Sequence, residues 1–256
     1  MILAIDSSGL TASVAVTDED NDIAIAEYTV NLKKTHSETL LPMIDEIFRL
    51  TGMVKETISA VAVASGPGSF TGLRIGGAAA KGIASALGIP VIPVPTVEGL
   101  AYNCYGQASY VCPIMDARRQ QTYTGVYEFV KNTGDSQPDN DGNTLLPGTY
   151  SYVMKELMGQ CAVDIGELID RLNGYGHDVI FLGDGVPVFK NTLDEKLIVA
   201  HTYAPSGMNR QSAASIGRLG AIYMAKGMTV SAADFAPEYL RQSQAERELH
   251  EGSGKE

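Results

Sequence analysis

The chain has 256 residues, 45% of them apolar, and a formal charge of −11. This is enough for one large domain or two modest ones with a proper core. An acidic surface repels phosphate backbones, so direct binding of RNA or DNA is not expected and would fall to a partner.

Cys104, Cys112 and Cys161 have no metal-ligand spacing and read as reduced thiols. No apolar run reaches the length of a bilayer span. No basic region precedes Ile2-Leu3-Ala4-Ile5, so a cytosolic protein is expected.

The first thirty residues read as three strands, 2–6, 11–17 and 22–30, separated by short turns. A helix is expected over 37–51, with Ser37 as N-cap and Gly52 as its stop. Leu40, Leu41, Ile44, Ile47 and Phe48 form its apolar stripe, and Pro42 is awkward inside it. Next come a strand at 60–64, a glycine-rich helix to 87, a strand at 91–94 and a helix from Thr96 to about 105. Residues 110–115 and 122–130 read as strands. Residues 131–148 read as an exposed polar insertion. A helix at 164–173, a strand at 179–182, a further helix and short strand to about 200, and an Ala-rich helix at 212–226 follow. The charged tail from 242 is expected to be disordered.

The order βββ-α-β-α-β occurs twice. That points to an α/β, duplicated actin/Hsp70/sugar-kinase-like fold with mixed sheets. The expected units are 1–106, 107–205, a segment 206–241 packing back on the body, and the tail 242–256.

The glycine-rich helix is poor by propensity. Gly72, Gly76, Gly77 and Gly82 lie inside it, and each costs about 1 kcal/mol relative to Ala. Gly72, Gly76, Ala80 and Ala84 recur every fourth residue and share one face. Such a face admits close approach of another backbone, either the chain's own sheet or another subunit. Docking to a subunit is the preferred reading, with the preceding helix completing half of a four-helix bundle.

In a nucleotide cleft, Asp6-Ser7-Ser8 would face phosphates and a metal, although an ordinary polar turn is the simpler reading. At the matching place in the second half, Met115-Asp116-Ala117-Arg118-Arg119 lacks the glycines of a phosphate clamp, which argues against ATP hydrolysis. Gly183-Asp184-Gly185-Val186 fits either an adenosine contact or a tight turn.

The spacing of Gly66, Gly68 and Gly72 misses the dinucleotide fingerprint by one residue. Gly252-Ser253-Gly254-Lys255 has no helix to follow it and is no P-loop. His36, His177, His201 and His250 form no metal-binding pair. Ser69 and Ser37 lack recognisable catalytic partners.

Four segments carry a family resemblance: residues 1–8, His36-Ser37-Glu38, residues 65–76 (Ser-Gly-Pro-Gly-Ser-Phe-Thr-Gly-Leu-Arg-Ile-Gly) and Pro237-Glu238-Tyr239-Leu240-Arg241. Together the sequence resembles the TsaB (YeaZ) family over nearly its whole length. The resemblance implies a cytosolic, non-catalytic scaffold for forming N6-threonylcarbamoyladenosine (t6A) in tRNA. Its implied partners are the catalytic paralogue TsaD and the ATPase TsaE, with a homodimer when alone.

It implies pairing through the two N-terminal helices. The residues proposed to make the contact are Leu40, Leu41, Ile44, Ile47, Phe48, Gly72, Arg74, Ile75, Gly76, Ala79, Ala80 and Ile83. Asp6, Ser7, Ser8, Gly183 and Gly185 would mark a vestigial nucleotide cleft. No cofactor is required, and ATP or ADP would bind weakly or at a partner interface. An independent ATPase or small-molecule kinase is the competing reading, and nothing in the sequence supports a peptidase.

Overall fold

The computed structural model describes residues 1–32, 35–132 and 151–240. The expected insertion from residue 133 and the expected disordered tail lie outside the described residues. Strands β1 (Ile2–Asp6), β2 (Ala12–Asp18) and β3 (Ile23–Val30) are followed by α1 (His36–Thr51), β4 (Ala60–Gly66), α2 (Phe70–Leu87), β5 (Val91–Pro95) and α3 (Thr96–Tyr102). Then come β6 (Tyr110–Asp116), β7 (Gln121–Lys131), β8 (Tyr152–Asp164), α4 (Ile165–Tyr175), β9 (Val179–Leu182), α5 (Val186–Lys196), β10 (His201–Tyr203) and α6 (Ala213–Ala225).

The strands form two five-stranded sheets, ordered β3-β2-β1-β4-β5 and β10-β9-β6-β7-β8. In the first, β1 pairs antiparallel with β2 and parallel with β4. In the second, β6 makes the same two kinds of pairing with β7 and β9. The sheets are therefore two copies of one topology, and β6 is the counterpart of β1.

Three apolar clusters separate the layers. One lies under α1 and α2 on the outer face of the first sheet, where Leu3, Ile5, Val14 and Val63 meet Leu40, Ile44 and Ile47. A second joins both sheets through α3 and α6, and includes Ala4, Ala62, Val97, Leu100, Ile216, Val111 and Tyr127. The third lies under α4 and α5. Among the described residues no helix is long and apolar enough to cross a membrane.

Three expectations differ from the structure. The 13-residue strand β8 was not anticipated. It is a sheet edge with mostly half-buried residues, so its sequence carries no clear two-residue alternation. Helix α1 starts at His36 with Thr35 at the N-cap position, so Ser37 is not its cap. Pro42 sits inside α1 on an exposed position. The carbonyl it leaves without a helical donor belongs to Glu38, also exposed, and water can serve it.

The third difference concerns the glycine row. Gly72, Gly76, Ala80 and Ala84 are all buried against the chain's own body. A Cβ at Gly72 would lie 2.0 Å from the Ser7 carbonyl oxygen, and one at Gly76 would lie 2.3 Å from Ser7 Oγ. Ser7 Oγ donates to the Gly72 carbonyl at 2.8 Å, and Ser69 N donates to the Ser8 carbonyl at 2.6 Å. Bare helix backbone is needed here because the β1–β2 hairpin approaches α2 backbone to backbone.

Gly82, in contrast, has nothing within 4 Å of its added Cβ. Gly72→Ala and Gly76→Ala are therefore expected to destabilise by about 2 kcal/mol or more, overriding a propensity gain of about 1 kcal/mol. Gly82→Ala should stabilise by up to about 1 kcal/mol. Urea-unfolding midpoints of the three variants check this opposite response.

Candidate protein-docking interface and the inter-lobe loops

Of the twelve residues expected at an interface, Leu40, Ile44, Ile47, Phe48, Gly72, Gly76 and Ala80 are buried within the chain. They are core residues of this fold, because both the α1 stripe and the α2 glycine row turn toward the first sheet. Leu41 is 58% exposed, Arg74 is exposed, and Ile75, Ala79 and Ile83 are half-buried.

The outward face of α2 carries instead Thr71, Arg74, Ala78, Gly82, Ser85 and Ala86. Beyond Arg74 its side chains are all small, so this face is nearly as bare as the buried one. Between it and α1 runs a groove of about 1060 Å³ with Leu41, Pro42, Gly82, Ile83, Ala86 and Leu87 along its walls.

The last described segment straps α2 from the other side. Val230 bridges to Val91 at the edge of β5. Phe235 is buried against Gly77, where an added Cβ would meet its ring at 3.0 Å. Lys81 Nζ donates to the carbonyls of Ala233 and Phe235 at 3.0 and 2.9 Å.

Glu238 N donates to the Ser65 carbonyl, and the Glu238 carbonyl lies 2.1 Å from where a Gly66 Cβ would stand. Gly66 has φ +125°, so both its conformation and this close approach call for glycine. The Tyr239 ring packs on Phe70 at 4.6 Å, and Arg74 lies over the Phe70 ring at 3.9 Å while its Nε donates to Tyr239 Oη at 3.4 Å. The segments 65–76 and 237–240, distant in sequence, thus form one contact.

The expected cleft residues are occupied by the chain itself. Asp6, Ser7 and Ser8 are buried, and Asp6 Oδ1 accepts from Ser8 N and Ser8 Oγ at 2.9 and 2.6 Å. Burial pushes the Asp6 carboxyl up to about 6, against the lowering effect of these bonds. The ring of His36, the first residue of α1, makes a 2.8 Å contact from Nε2 to the Gly9 carbonyl.

Gly183 and Gly185 lie on β6: added Cβ atoms would meet the Ile114 carbonyl at 2.2 and 2.8 Å, and Gly185 N donates to that oxygen. Asp184 Oδ1 accepts from Asp116 N at 3.2 Å, and burial raises its pKa. Arg118, Arg119 and Gln120 have φ of 65°, 55° and 62°. Three non-glycine residues in the left-handed region stand where a phosphate clamp would use glycines.

Between the two loops lies a segment with no motif of its own in the sequence. Asn209 accepts from Gly183 N, Arg210 donates to the Gly183 carbonyl at 3.2 Å, and the buried Gln211 side chain packs on Gly9. Residues 209–211 therefore touch both loops. Ser69 caps α2 by accepting from Gly72 N. No cluster of three His, Cys, Asp or Glu side chains among the described residues is arranged to hold a metal ion.

These features define an α/β protein with the duplicated actin/Hsp70/sugar-kinase-like fold. A family profile described as "TsaD: tRNA N6-adenosine threonylcarbamoyltransferase" matches residues 25–249. The Bacillus subtilis tRNA threonylcarbamoyladenosine biosynthesis protein TsaB is 32% identical over 248 residues, 96% of each chain. The Escherichia coli protein of the same name is 32% identical over 62% of this chain and 68% of its own. The solved structure of YeaZ from Pseudomonas aeruginosa superposes with a TM-score of 0.68 at 24% identity, covering 93% of this chain and 99% of that one. A second solved chain, described as having similarity to the peptidase YEAZ from that organism, gives 0.72 at 24% identity, covering 94% and 99%. The chain belongs to the TsaB (YeaZ) family.

The buried Asp6 carboxyl makes stability pH-dependent. Between the unfolded value of 3.8 and about 6 the folded chain keeps a proton that the unfolded chain has lost. Stability therefore falls as pH rises through this window, by up to about 3 kcal/mol from this residue. Glu98 and Asp184 are shifted in the same direction by burial, so the test is a difference. Asp6→Asn, which keeps an acceptor for Ser8, should match wild type near pH 3.5 and exceed it by up to about 3 kcal/mol at pH 7. Urea unfolding at the two pH values measures this.

Proposed function

We propose that this chain is the scaffold and activating subunit of the tRNA threonylcarbamoyl-transfer complex that makes t6A, pairing through the outer faces of α1 and α2 with a catalytic TsaD-type paralogue. The observation that carries it is the groove between those helices. Leu41 stands 58% exposed on one wall, and the other wall carries Gly82 and Ala86 between the half-buried Ile83 and Leu87. At Gly82, where an added Cβ would meet nothing within 4 Å, a partner helix can approach closely, as the hairpin does on the opposite face of α2. Arg74, held by Phe70 and Tyr239, offers a placed cation on the same outer face of α2 for an acidic residue of the partner.

The relatives' names support a role in t6A biosynthesis and name no reaction for TsaB itself. A scaffold needs no metal or nucleotide of its own, so ATP or ADP would enter weakly or at the partner interface. A TsaE-type ATPase joins the assembly, and the same helices make a homodimer when the paralogue is missing. The tRNA contacts fall to the partner, and the setting is the cytoplasm. Calorimetry with ATP and Mg²⁺ separates this reading from that of an independent ATPase or kinase, which requires tight binding with turnover by the isolated chain.

Gly76 cannot report on docking, because a side chain there would displace Ser7. Leu41→Asp alters an exposed position and should leave the fold intact. It is expected to weaken capture of the TsaD paralogue, and self-association in sedimentation velocity, by about tenfold or more, as loss of an interface anchor does. Ile198→Asp, at an 86% exposed position beyond α5, should change neither. Equal partner capture by the Leu41→Asp variant and wild type would refute the assignment of this face.

A further inference from the structure

The strap adds a contact of its own to the outer face of α2. Phe70, Arg74, Gly77 and Lys81 recur every three or four residues, and the strap follows that flank from Ala233 to Tyr239. Where it ends, the Tyr239 ring packs on Phe70, and its hydroxyl accepts from the Nε of Arg74, which lies over the Phe70 ring. We propose that these three side chains are a second anchor of the docking face. Tyr239 is a positioning residue that aims Arg74 at an aspartate or glutamate on the partner helix seated at Gly82. Resting on the docking reading above, this anchor extends the interface onto the strap and fixes where the partner's acid stands.

The charge of Arg74 is unspent. The chain has 30 acidic side chains against 19 Lys and Arg. Arg49, Arg118, Arg171 and Arg218 each hold a carboxylate. Among the described residues the side-chain contacts of Arg74 are Phe70 and Tyr239, neither of them acidic. The strap's own acids are engaged elsewhere: Asp234 accepts from Ser231, and Glu238 accepts from Gln160 Nε2 on β8 at 3.2 Å.

The geometry leaves a fork. With Nε on Tyr239 and one face of the guanidinium on Phe70, the two terminal Nη groups of the exposed Arg74 remain for both oxygens of one carboxylate. The strap is itself held, by Glu238 N on the Ser65 carbonyl at 2.7 Å and by Lys81 on two carbonyls, yet Tyr239 stays 39% exposed. A fixed tyrosine beside a fixed arginine is the side-chain chemistry that carries most binding energy at protein interfaces.

Arg74 stands eight residues before Gly82, a little over two turns, or about 12 Å along the axis. A partner helix lying along α2 therefore carries its acid about two turns from the residue that meets Gly82. A carboxylate fits better than an RNA phosphate, because Arg74 is the one basic side chain among the six outer-face residues and nucleic acid requires several.

The test measures capture of the TsaD-type paralogue by the full chain across a range of salt, with urea midpoints as the control for folding. Arg74→Gln should weaken capture about tenfold and flatten its salt dependence. Arg74→Lys should recover only part, since an ammonium is no planar fork. Tyr239→Ala should also weaken capture and flatten the salt dependence. The double variant should be little weaker than Arg74→Gln alone, because both changes act through one contact. Undiminished capture by Arg74→Gln, additive losses in the double variant, or unaltered salt dependence in Tyr239→Ala would each overturn the proposal. So would tRNA binding by the isolated chain that Arg74→Gln abolishes, which would give the arginine to a phosphate. If Leu41→Asp weakens capture and Arg74→Gln does not, the groove stands and the anchor falls. If neither does, the docking reading itself falls. Should Tyr239→Ala not fold, the same cycle with Tyr239→Leu decides.

Discussion

The arrangement of the N-terminal lobe depends on one contact, the seating of the β1–β2 hairpin on the bare backbone of α2. Ser7 presents its carbonyl to Gly72 and its hydroxyl to Gly76, and the Ser8 carbonyl takes the N–H of Ser69, the residue that caps the helix. Two helical glycines together cost about 2 kcal/mol relative to Ala. What they permit is satisfaction of polar groups around the buried Ser7 and Ser8, where each unmade hydrogen bond would cost about as much. The same turn places Gly9 against both His36 of α1 and Gln211 of the segment before α6. One backbone contact therefore sets α2, the start of α1 and the entry to the inter-lobe helix together.

Much of the fold was legible because its elements have distinct periods and stops. The buried strands β1 and β4, the Gly52 stop of α1 and the Ser69–Gly72 turn into α2 each carry a local chemical signal. The strand β8 was not legible, since a half-buried edge shows neither alternation nor a continuous apolar run. The direction of the glycine row was not legible for a different reason. A face without side chains has no polarity, so nothing local tells whether it meets its own chain or another. Here α2 is bare on two faces, and the four-residue spacing drew attention to the inner one. In α1, Leu40 and Leu41 are neighbours in sequence but about 100° apart on the helix, so only one could face the core.

The contacts that build the candidate site from residues far apart in sequence were not legible. Tyr239 reaches Arg74 across 165 residues, and Arg210 and Gln211 reach two glycine loops from a segment with no motif of its own. Such contacts are set by the closing of the two sheets around α3 and α6, which local pattern does not encode. Asp6 was expected near a metal ion and Gly183 and Gly185 against a nucleotide. The Asp6 carboxyl accepts from Ser8 instead, and the two glycines bring backbone close to Ile114 and to the chain's own connecting segment.

These two sets of contacts are linked by the geometry of α2. A helix bare on two faces interdigitates with its own core only through Ile75, Ile83 and Leu87, so its other neighbours help to fix it. The hairpin fixes the inner face. The strap fixes a flank, through Phe235 on Gly77, two carbonyls on Lys81 and Tyr239 on Phe70. With those sides taken, the free surface of α2 is its outer one, and its rigidity comes from contacts far from that surface. Preorganisation of this kind lowers the ordering cost of association. It also accounts for why the hairpin and glycine loops are sealed by the protein: the interactions that hold α2 still are made from the backbone groups that an open phosphate-binding cleft would have to leave free.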